Sequence, residues 1–364
     1  MNKTIILSSG GTGGHVFPAL SLSEVLGARG YQILIMTDHR GHVFQQAPGI
    51  GRVISLPIWR GQEGSRLGVF ILLTNLVLSF LVALGYMIFS RPAAVVGFGG
   101  YPSIPAILAA TILRIPTALH EQNAILGRAN RLLARFVKRI GISFDKVKFS
   151  EPFRDKVFHT GNPVRKSIIA IQNDIYKPSE AQEPFCLFIL GGSQGARIFS
   201  SVIPNALRDL PEDMRKRLIV YQQCRKELVE QTKEAYRQFG LSVHVSSFFD
   251  DVDQKLKEAH LVIGRSGAST VAELMVAGRP AILVPYPYAM DNHQQANAIS
   301  LSESQAAWVI LERDFMPQKL QEILIKSMND GNILKIMAKN MHNFSQPNAA
   351  EKLAQMVENL LPNN

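Results

Sequence analysis

Residues 5–20 read IILSSGGTGGHVFPAL, and residues 187–207 read LFILGGSQGARIFSSVIPNAL. Each is an apolar run of strand length, a glycine-rich turn, and then a segment with helical spacing. Glycines in such a turn let the backbone approach a ligand closely. The helix that follows offers unpaired N–H groups to an anion. The same unit opening two halves of one chain predicts two mononucleotide-binding domains rather than a short-period solenoid. Neither loop is a P-loop, because no Gly-Lys-Ser/Thr closes it. Neither spells the G-x-G-x-x-G fingerprint with an acidic residue after the second strand.

Further apolar runs follow at 31–37, 93–99 and 116–122, then at 217–223, 242–248, 260–266 and 281–287, with helix-length segments between them. That alternation predicts an α/β chain of two doubly wound parallel sheets facing across a cleft. The two series separate around Thr160-Gly-Asn-Pro-Val-Arg165 and a polar stretch at 173–184. A length of 364 residues, 46% apolar and 19% charged, fits two folded cores. Two cysteines, Cys186 and Cys224, give no disulfide framework or metal-ligand spacing, which points to a reducing cytosol. The opening MNKTIILSS reads as a buried first strand rather than a signal peptide.

Charge is unevenly placed. Residues 1–162 hold 17 Lys/Arg and 7 Asp/Glu, a net of +10; the remainder holds 22 of each. A basic surface of this kind attracts nucleic acid or anionic lipid. Zinc-finger spacing, an RNP-type aromatic pattern and a long basic tail are all missing from the sequence, so nucleic acid is not expected. Residues 67–90 run 24 positions without a formal charge between Arg66 and Arg91. That length meets the threshold for a membrane span. Strands of what reads as one sheet flank the run on both sides, however, which favours a buried helix or shallow monotopic attachment. Residues 126–140, LGRANRLLARFVKRI, read as one amphipathic helix with Arg128, Arg131, Arg135, Lys138 and Arg139 along a basic rim.

Polar groups cluster just after the predicted strands, where open α/β sheets bind ligands. His15 starts the first helix, and a general base calls for a side chain of histidine's type. Gly97-Phe-Gly-Gly-Tyr101 and His120-Glu-Gln-Asn123 follow two strands of the first series. Arg265-Ser-Gly-Ala-Ser-Thr270 opens a helix carrying Glu273, whose carboxylate suits the two hydroxyls of a ribose. The amides of Asp291-Asn-His-Gln-Gln295 suit sugar hydroxyls.

In order along the chain, GGTGGHVFPAL, GFGGYPSIPA, HEQNAILGRANRLLA, GNPVR, LGGSQGAR, RSGASTVAEL and DNHQQANA resemble the MurG family. Its members are the UDP-N-acetylglucosamine:lipid-linked muramyl-pentapeptide N-acetylglucosaminyltransferases of peptidoglycan synthesis. The resemblance runs from about residue 5 to residue 300. It implies a GT-B fold with an acceptor-binding, membrane-associated domain at 1–162 and a UDP-sugar domain at 163–342. The terminal helix within 343–364 then packs back on the first domain. It further implies that Glu273 contacts the ribose, Ser193 the diphosphate, Gln294 and Asn123 the donor sugar, and that Phe249 lies in the segment reading the uracil. Arg165 and Arg265 match donor-site arginines. Thr12, Gly13 and Gly14 of the first loop, with Gln194 beside Ser193, complete the donor set. His15 matches the proposed base, with Glu121 and Tyr101 near enough in motif to share that role. The 67–90 segment is more apolar than the resemblance leads one to expect.

The expected reaction inverts the donor's anomeric carbon as the muramyl 4-hydroxyl of lipid I displaces UDP, forming lipid II. The chain shows no clear Asp-x-Asp metal site between strands, so neither metal nor cofactor is expected. The expected partners are UDP-N-acetylglucosamine, lipid I, the cytoplasmic face of the inner membrane with the protein bound peripherally, and other cell-wall synthesis enzymes. Two other readings share the fold: a different UDP-sugar-dependent glycolipid transferase and a UDP-N-acetylglucosamine epimerase. The epimerase needs no basic lipid-facing surface. A binding-only scaffold would leave the polar groups after the strands idle.

Overall fold

The structure, a computed structural model, describes residues 4–11, 13–47, 49–58, 66–192, 195–241 and 243–361. Thr12, Ser193 and Gln194 lie outside the described residues. The chain forms two compact units, Met1–Arg165 with Gln346–Asn364, and Lys166–Ser345.

The first unit runs β1 (Thr4–Ser9), α1 (Gly13–Ala28), β2 (Gln32–Thr37), β3 (Ile50–Ser55), α2 (Arg66–Ser90), β4 (Ala94–Gly97), α3 (Ser103–Ile112), β5 (Thr117–Glu121), α4 (Arg128–Leu133), β6 (Arg139–Ile142) and β7 (Val157–His159). Its seven strands pair in parallel in the order β3-β2-β1-β4-β5-β6-β7. Alternation along the strands divides the core between the two faces. Ile5, Leu7, Ile33 and Ile35 pack with α1 and with the C-terminal helix. Ile6, Leu34, Met36, Val95 and Leu119 pack with residues of α2, α3 and α4.

The second unit runs α5 (Lys166–Ala170), β8 (Phe185–Leu190), α6 (Arg197–Arg208), α7 (Glu212–Lys216), β9 (Leu218–Gln223), α8 (Val229–Arg237), β10 (Val243–Ser246), α9 (Val252–Glu258), β11 (Leu261–Gly264), α10 (Ala268–Ala277), β12 (Ala281–Leu283), α11 (His293–Glu303), β13 (Ala307–Val309), α12 (Pro317–Asn329) and α13 (Gly331–His342). Its six strands are parallel, ordered β10-β9-β8-β11-β12-β13. Leu187, Ile189 and Val220 meet Phe199 and Ile203 of α6 and Leu320 and Leu324 of α12 in its core. The chain then returns to the first unit as α14 (Ala349–Glu358), whose Leu353 and Val357 are fully buried with α1. Both units are thus doubly wound α/β layers. In each, the strand order reverses beside the first strand, at β1/β4 and at β8/β11. The carboxyl ends of such a pair form the crevice where this architecture takes ligands.

Two segments depart from the sequence reading. Residues 126–140 are not one helix. After α4 the chain turns at Ala134 to Phe136, and Lys138 donates its N–H to Thr117 O at 3.0 Å as β6 begins. Leu133, Val137 and Ile140 turn into the core, while Leu132 and Phe136 stay exposed. The helical spacing of the arginines fails because Arg139–Ile142 pairs as a strand with β5, and Ile140 and Ile142 are buried there. The apolar 67–90 segment, in turn, forms α2 but is not a buried helix. It presents an exposed stripe, Phe70, Leu73, Val77, Leu81 and Phe89, with Phe70 67% and Phe89 90% exposed. Ser79, Ala83 and Met87 on the opposite side are buried. Gly68–Ser90 is long and apolar enough to cross a membrane. The strands on either side of it, β3 and β4, nevertheless belong to one sheet, only β2 and β1 lying between them. A transmembrane α2 would have to tear free of the sheet and of α3, along which it packs.

Candidate active site

In the first unit the residues singled out after β1, β4 and β5 converge. The register of β1 with β4 sets Ser8 opposite Gly97, so the Gly10-Gly11 turn and the Gly97–Tyr101 loop emerge together. Gly99 and Gly100 hold φ of 88° and 75°, a region that favours glycine. A Cβ on Gly10 would stand 3.5 Å from His15 Cδ2, and one on Gly99 would stand 3.3 Å from His15 Cε1. The His15 ring therefore lies in a slot made by two glycine backbones.

β5 ends in His120 and Glu121, whose turn is fixed by hydrogen bonds. The Glu121 carboxylate accepts from the Asn123 backbone N–H (3.0 Å), Asn123 Nδ2 (3.1 Å), the Gly127 N–H (2.8 Å) and Asn130 Nδ2 (2.8 Å). Four donors on a carboxylate only 2% exposed make it a clamp for the 121–130 turn rather than a proton acceptor for a ligand. Asn123 is thereby set at the turn's rim. His120 is fully buried, and its Nε2–H donates to Gly161 O at 3.0 Å. Gln122, 1% exposed, lies between His120 and His15. Tyr101 is half-buried and packs on the α2–α4 side of the sheet. Arg165 lies with its guanidinium carbon 5.4 Å from the Phe17 ring on α1, in the first unit.

The His120 imidazole is held down at about 4, chiefly by burial; the bond to Gly161 opposes the drop and His15 adds a smaller lowering. Between pH 6.5 and about 4 the unfolded chain therefore takes up a proton here that the folded chain refuses. Stability should fall on acidification through that window, by up to about 3 kcal/mol. Urea midpoints measured at pH 7 and pH 4.5 should differ less in His120→Gln than in the wild type.

Gly13 and Gly14 begin α1. A Cβ on Gly14 would meet nothing within 4 Å, so the protein itself gives no steric reason for glycine in a helical first turn. Space kept beside these N–H groups suits a ligand. Gly14→Ala should hold or raise stability, by about 0.5–1 kcal/mol from helix propensity, while weakening turnover. A matched pair of thermal melts and rate measurements checks this.

The second unit repeats the plan at β8/β11. Gly192 and Gly195 hold φ of 74° and 64°. They line a cavity of about 320 Å³ together with Cys224, Arg225, Lys226, Glu227 and Ser247. Phe249 stands edge-on to Phe188 and Tyr221 beyond β10. Across β11 lies the Arg265–Gly267 loop. Gly267 caps α10, and a Cβ there would meet nothing within 4 Å, as at Gly14. Glu273 is 8% exposed on α10. Gln294 Oε1 accepts the Tyr286 N–H at 2.9 Å, its carbonyl accepts Ser266 Oγ at 2.8 Å, and Asn297 Nδ2 donates to Ser266 O at 3.1 Å. These bonds tie the start of α11 to the loop before α10. Arg265 does not extend toward solvent. Its guanidinium donates to Val284 O (3.1 Å), Pro285 O (3.3 Å) and the Glu312 carboxylate. It shapes the loop from behind. Gly10, Gln122, Asn130 and Gly267 lie inside the quoted motifs but gain a site-building role only in the structure, and Glu312 lies outside every motif.

Cys186 and Cys224 are buried free thiols. Asp251-Val-Asp253 does spell an Asp-x-Asp string at the first turn of α9, where Asp251 stands 3.4 Å from Lys255 Nζ. Among the described residues no three His, Cys, Asp or Glu side chains group as a metal site.

Two family models match the chain: the glycosyltransferase family 28 N-terminal domain over residues 5–142 and the C-terminal domain over residues 186–355. The UDP-N-acetylglucosamine–N-acetylmuramyl-(pentapeptide) pyrophosphoryl-undecaprenol N-acetylglucosamine transferase of Paramagnetospirillum magneticum is 46% identical, covering 99% of this chain and 97% of that protein. The chain belongs to glycosyltransferase family 28. A second family-28 relative with the same printed name, from Zymomonas mobilis, is 43% identical over 98% of this chain and 92% of its own length. The crystal structure of Acinetobacter baumannii MurG superposes with a TM-score of 0.80 at 28% identity, covering 98% of this chain and 99% of that one. A putative UDP-N-acetylglucosamine 2-epimerase from Listeria monocytogenes superposes at 0.69 with 14% identity, covering 96% and 94%, and shares the fold. This family-28 chain is a glycosyltransferase of GT-B architecture.

Proposed function

We propose that the protein transfers N-acetylglucosamine from UDP-N-acetylglucosamine to the muramyl 4-hydroxyl of undecaprenyl-diphospho-muramyl-pentapeptide, at the cytoplasmic face of the cell membrane. The observation that carries this reading is the pair of glycine loops at the two strand-order reversals, with His15 held in the first. Near-full-length identity to transferases bearing that printed name supports the choice of substrates over the epimerase reading.

In the reaction, the muramyl 4-oxygen forms a bond to the anomeric carbon while the bond from that carbon to the β-phosphate oxygen breaks. The electron pair leaves with UDP. The hydroxyl proton passes to the His15 imidazole, a transfer that contributes ~10²–10⁴-fold in rate. Charge grows on the diphosphate, and the 191–195 loop with the N-terminus of α6 supplies dipoles for it. In this account Ser193 and Gln194 contact the diphosphate, Glu273 the ribose, Phe249's segment the uracil, and Gln294 and Asn123 the sugar. Arg265 holds the α10 loop through Glu312 and the 284–285 carbonyls. Glu121 holds the turn that carries Asn123. Arg165, beside Phe17, is a donor-site arginine, and Tyr101 stands as a second candidate for the base. The exposed stripe of α2, together with the net positive charge of residues 1–162, lays the first unit on an anionic lipid surface.

Single displacement predicts a product of inverted configuration. From an α-linked UDP-sugar the new glycosidic bond should be β, read from the anomeric proton coupling of the isolated product. An α-linked product would contradict a single displacement.

A further inference from the structure

We infer that Gln122 and His120 are positioning residues that lock His15 in its Nδ1–H tautomer, so that Nε2 is the nitrogen that receives the acceptor's proton. The inference rests on His15 acting as the base, as proposed above.

The directions of the hydrogen bonds from His120 through Gln122 to His15 are set by two backbone carbonyls, Gly161 O at one end and His120 O beside Gln122. His120 Nε2 lies 3.0 Å from Gly161 O, and a carbonyl only accepts, so Nε2 carries the hydrogen. His120 is fully buried with its imidazole held neutral, so its Nδ1 is an acceptor. The Gln122 amide nitrogen lies 3.1 Å from that Nδ1 and 3.2 Å from His120 O. The carbonyl again only accepts, and this fixes which end of the amide is nitrogen. Gln122 Oε1 must then face the other way, and it stands 2.9 Å from His15 Nδ1. An amide oxygen accepts, so His15 Nδ1 carries the hydrogen and Nε2 the lone pair.

Ring placement agrees with this. Nε2 lies between Cδ2 and Cε1, the two ring carbons that face Gly10 and Gly99. The lone-pair edge of His15 is therefore turned toward the glycine loops at the β1/β4 reversal, the place where this architecture takes ligands. The anchor of the chain is also fixed. Gly161 holds φ of 79°, and a Cβ there would stand 2.7 Å from Gln346 Cβ, so other residues cannot present this carbonyl in the same way. A neutral two-step relay supplies orientation without adding a carboxylate beside the base. It differs in that respect from an Asp-oriented histidine.

The test is histidine-labelled nitrogen NMR of the full chain with kinetics on the same preparations. The His15 signals are identified by their loss in His15→Ala. Wild-type His15 should show the Nδ1–H tautomer. Gln122→Met, close in shape, should populate the Nε2–H form and cut kcat by about 10- to 10⁴-fold, leaving KM for UDP-N-acetylglucosamine unchanged. A merely structural Gln122 would not move the tautomer. An Nε2–H His15 in the wild type would overturn the inference whether or not any variant folds. So would a folded Gln122→Met that turns over like the wild type. Failure of the proposed reaction is a separate result, namely no transfer by the wild type.

Discussion

His15→Ala should lower turnover ~10²–10⁴-fold while leaving the dissociation constant for UDP-N-acetylglucosamine close to that of the wild type. The ring sits against Gly10 and Gly99 at the first strand reversal, while the donor loops proposed to read UDP lie in the second unit. Truncation therefore removes the proton acceptor and leaves those loops intact. His15 is half-buried on the first turn of α1, and its Nδ1 bonds to the Gln122 amide oxygen. Stability should change by about 1–2 kcal/mol at most, the cost of leaving that amide oxygen without the bond. Isothermal titration with the donor and steady-state rates, taken together, separate the two effects. Unchanged turnover would remove His15 from the chemistry and return attention to Tyr101.

The second large effect concerns the membrane. Phe70, Leu73, Val77 and Leu81 recur along the solvent side of α2, a helix of 25 residues and hence about 37 Å long. Because β3 and β4 belong to one sheet, the proposed contact of that stripe with a bilayer runs along its surface rather than through it. Changing all four to serine removes apolar contact worth about 1–1.5 kcal/mol per side chain on partial burial, roughly 4–6 kcal/mol in sum. Partition to vesicles containing anionic lipid should fall ~10³–10⁴-fold. The fold should hold, since none of the four belongs to the buried side formed by Ser79, Ala83 and Met87. Vesicle flotation with circular dichroism as a control measures both. Retained partition would place the attachment elsewhere on the basic unit, and high salt would then be expected to release the protein.

What the chain reveals before folding depends on the range of the interactions involved. The glycine loops were legible because a strand, a tight turn and a helix are built from adjacent residues. The nine apolar runs mark nine of the thirteen strands for the same reason. Ile50–Ser55 escaped notice because it is an edge strand with Gly51 and Arg52 exposed, which breaks the apolar run. Val157–His159 and Ala307–Val309 span only three residues each. Arg139–Ile142 is hidden inside a helical charge pattern, and its partner strand, 21 residues upstream, decides its conformation. The site divides in the same way. His15 and the HEQN cluster stand out as residue types. That Glu121 is a clamp emerges only from its bonds to Gly127 and Asn130. That Arg265 is held by Glu312 depends on a contact across 47 residues. The bond between Gln122 and His15 spans 107. No local pattern carries such pairings.

The measurement that bears most directly on the account is sugar transfer itself. Labelled N-acetylglucosamine on its UDP donor is incubated in detergent with the muramyl-pentapeptide-diphosphate lipid and EDTA. The account predicts label in the lipid product, none from UDP-glucose, and the same rate with EDTA as without. Conversion of UDP-N-acetylglucosamine to its epimer with no labelled lipid, or labelling of a different lipid only, would contradict it.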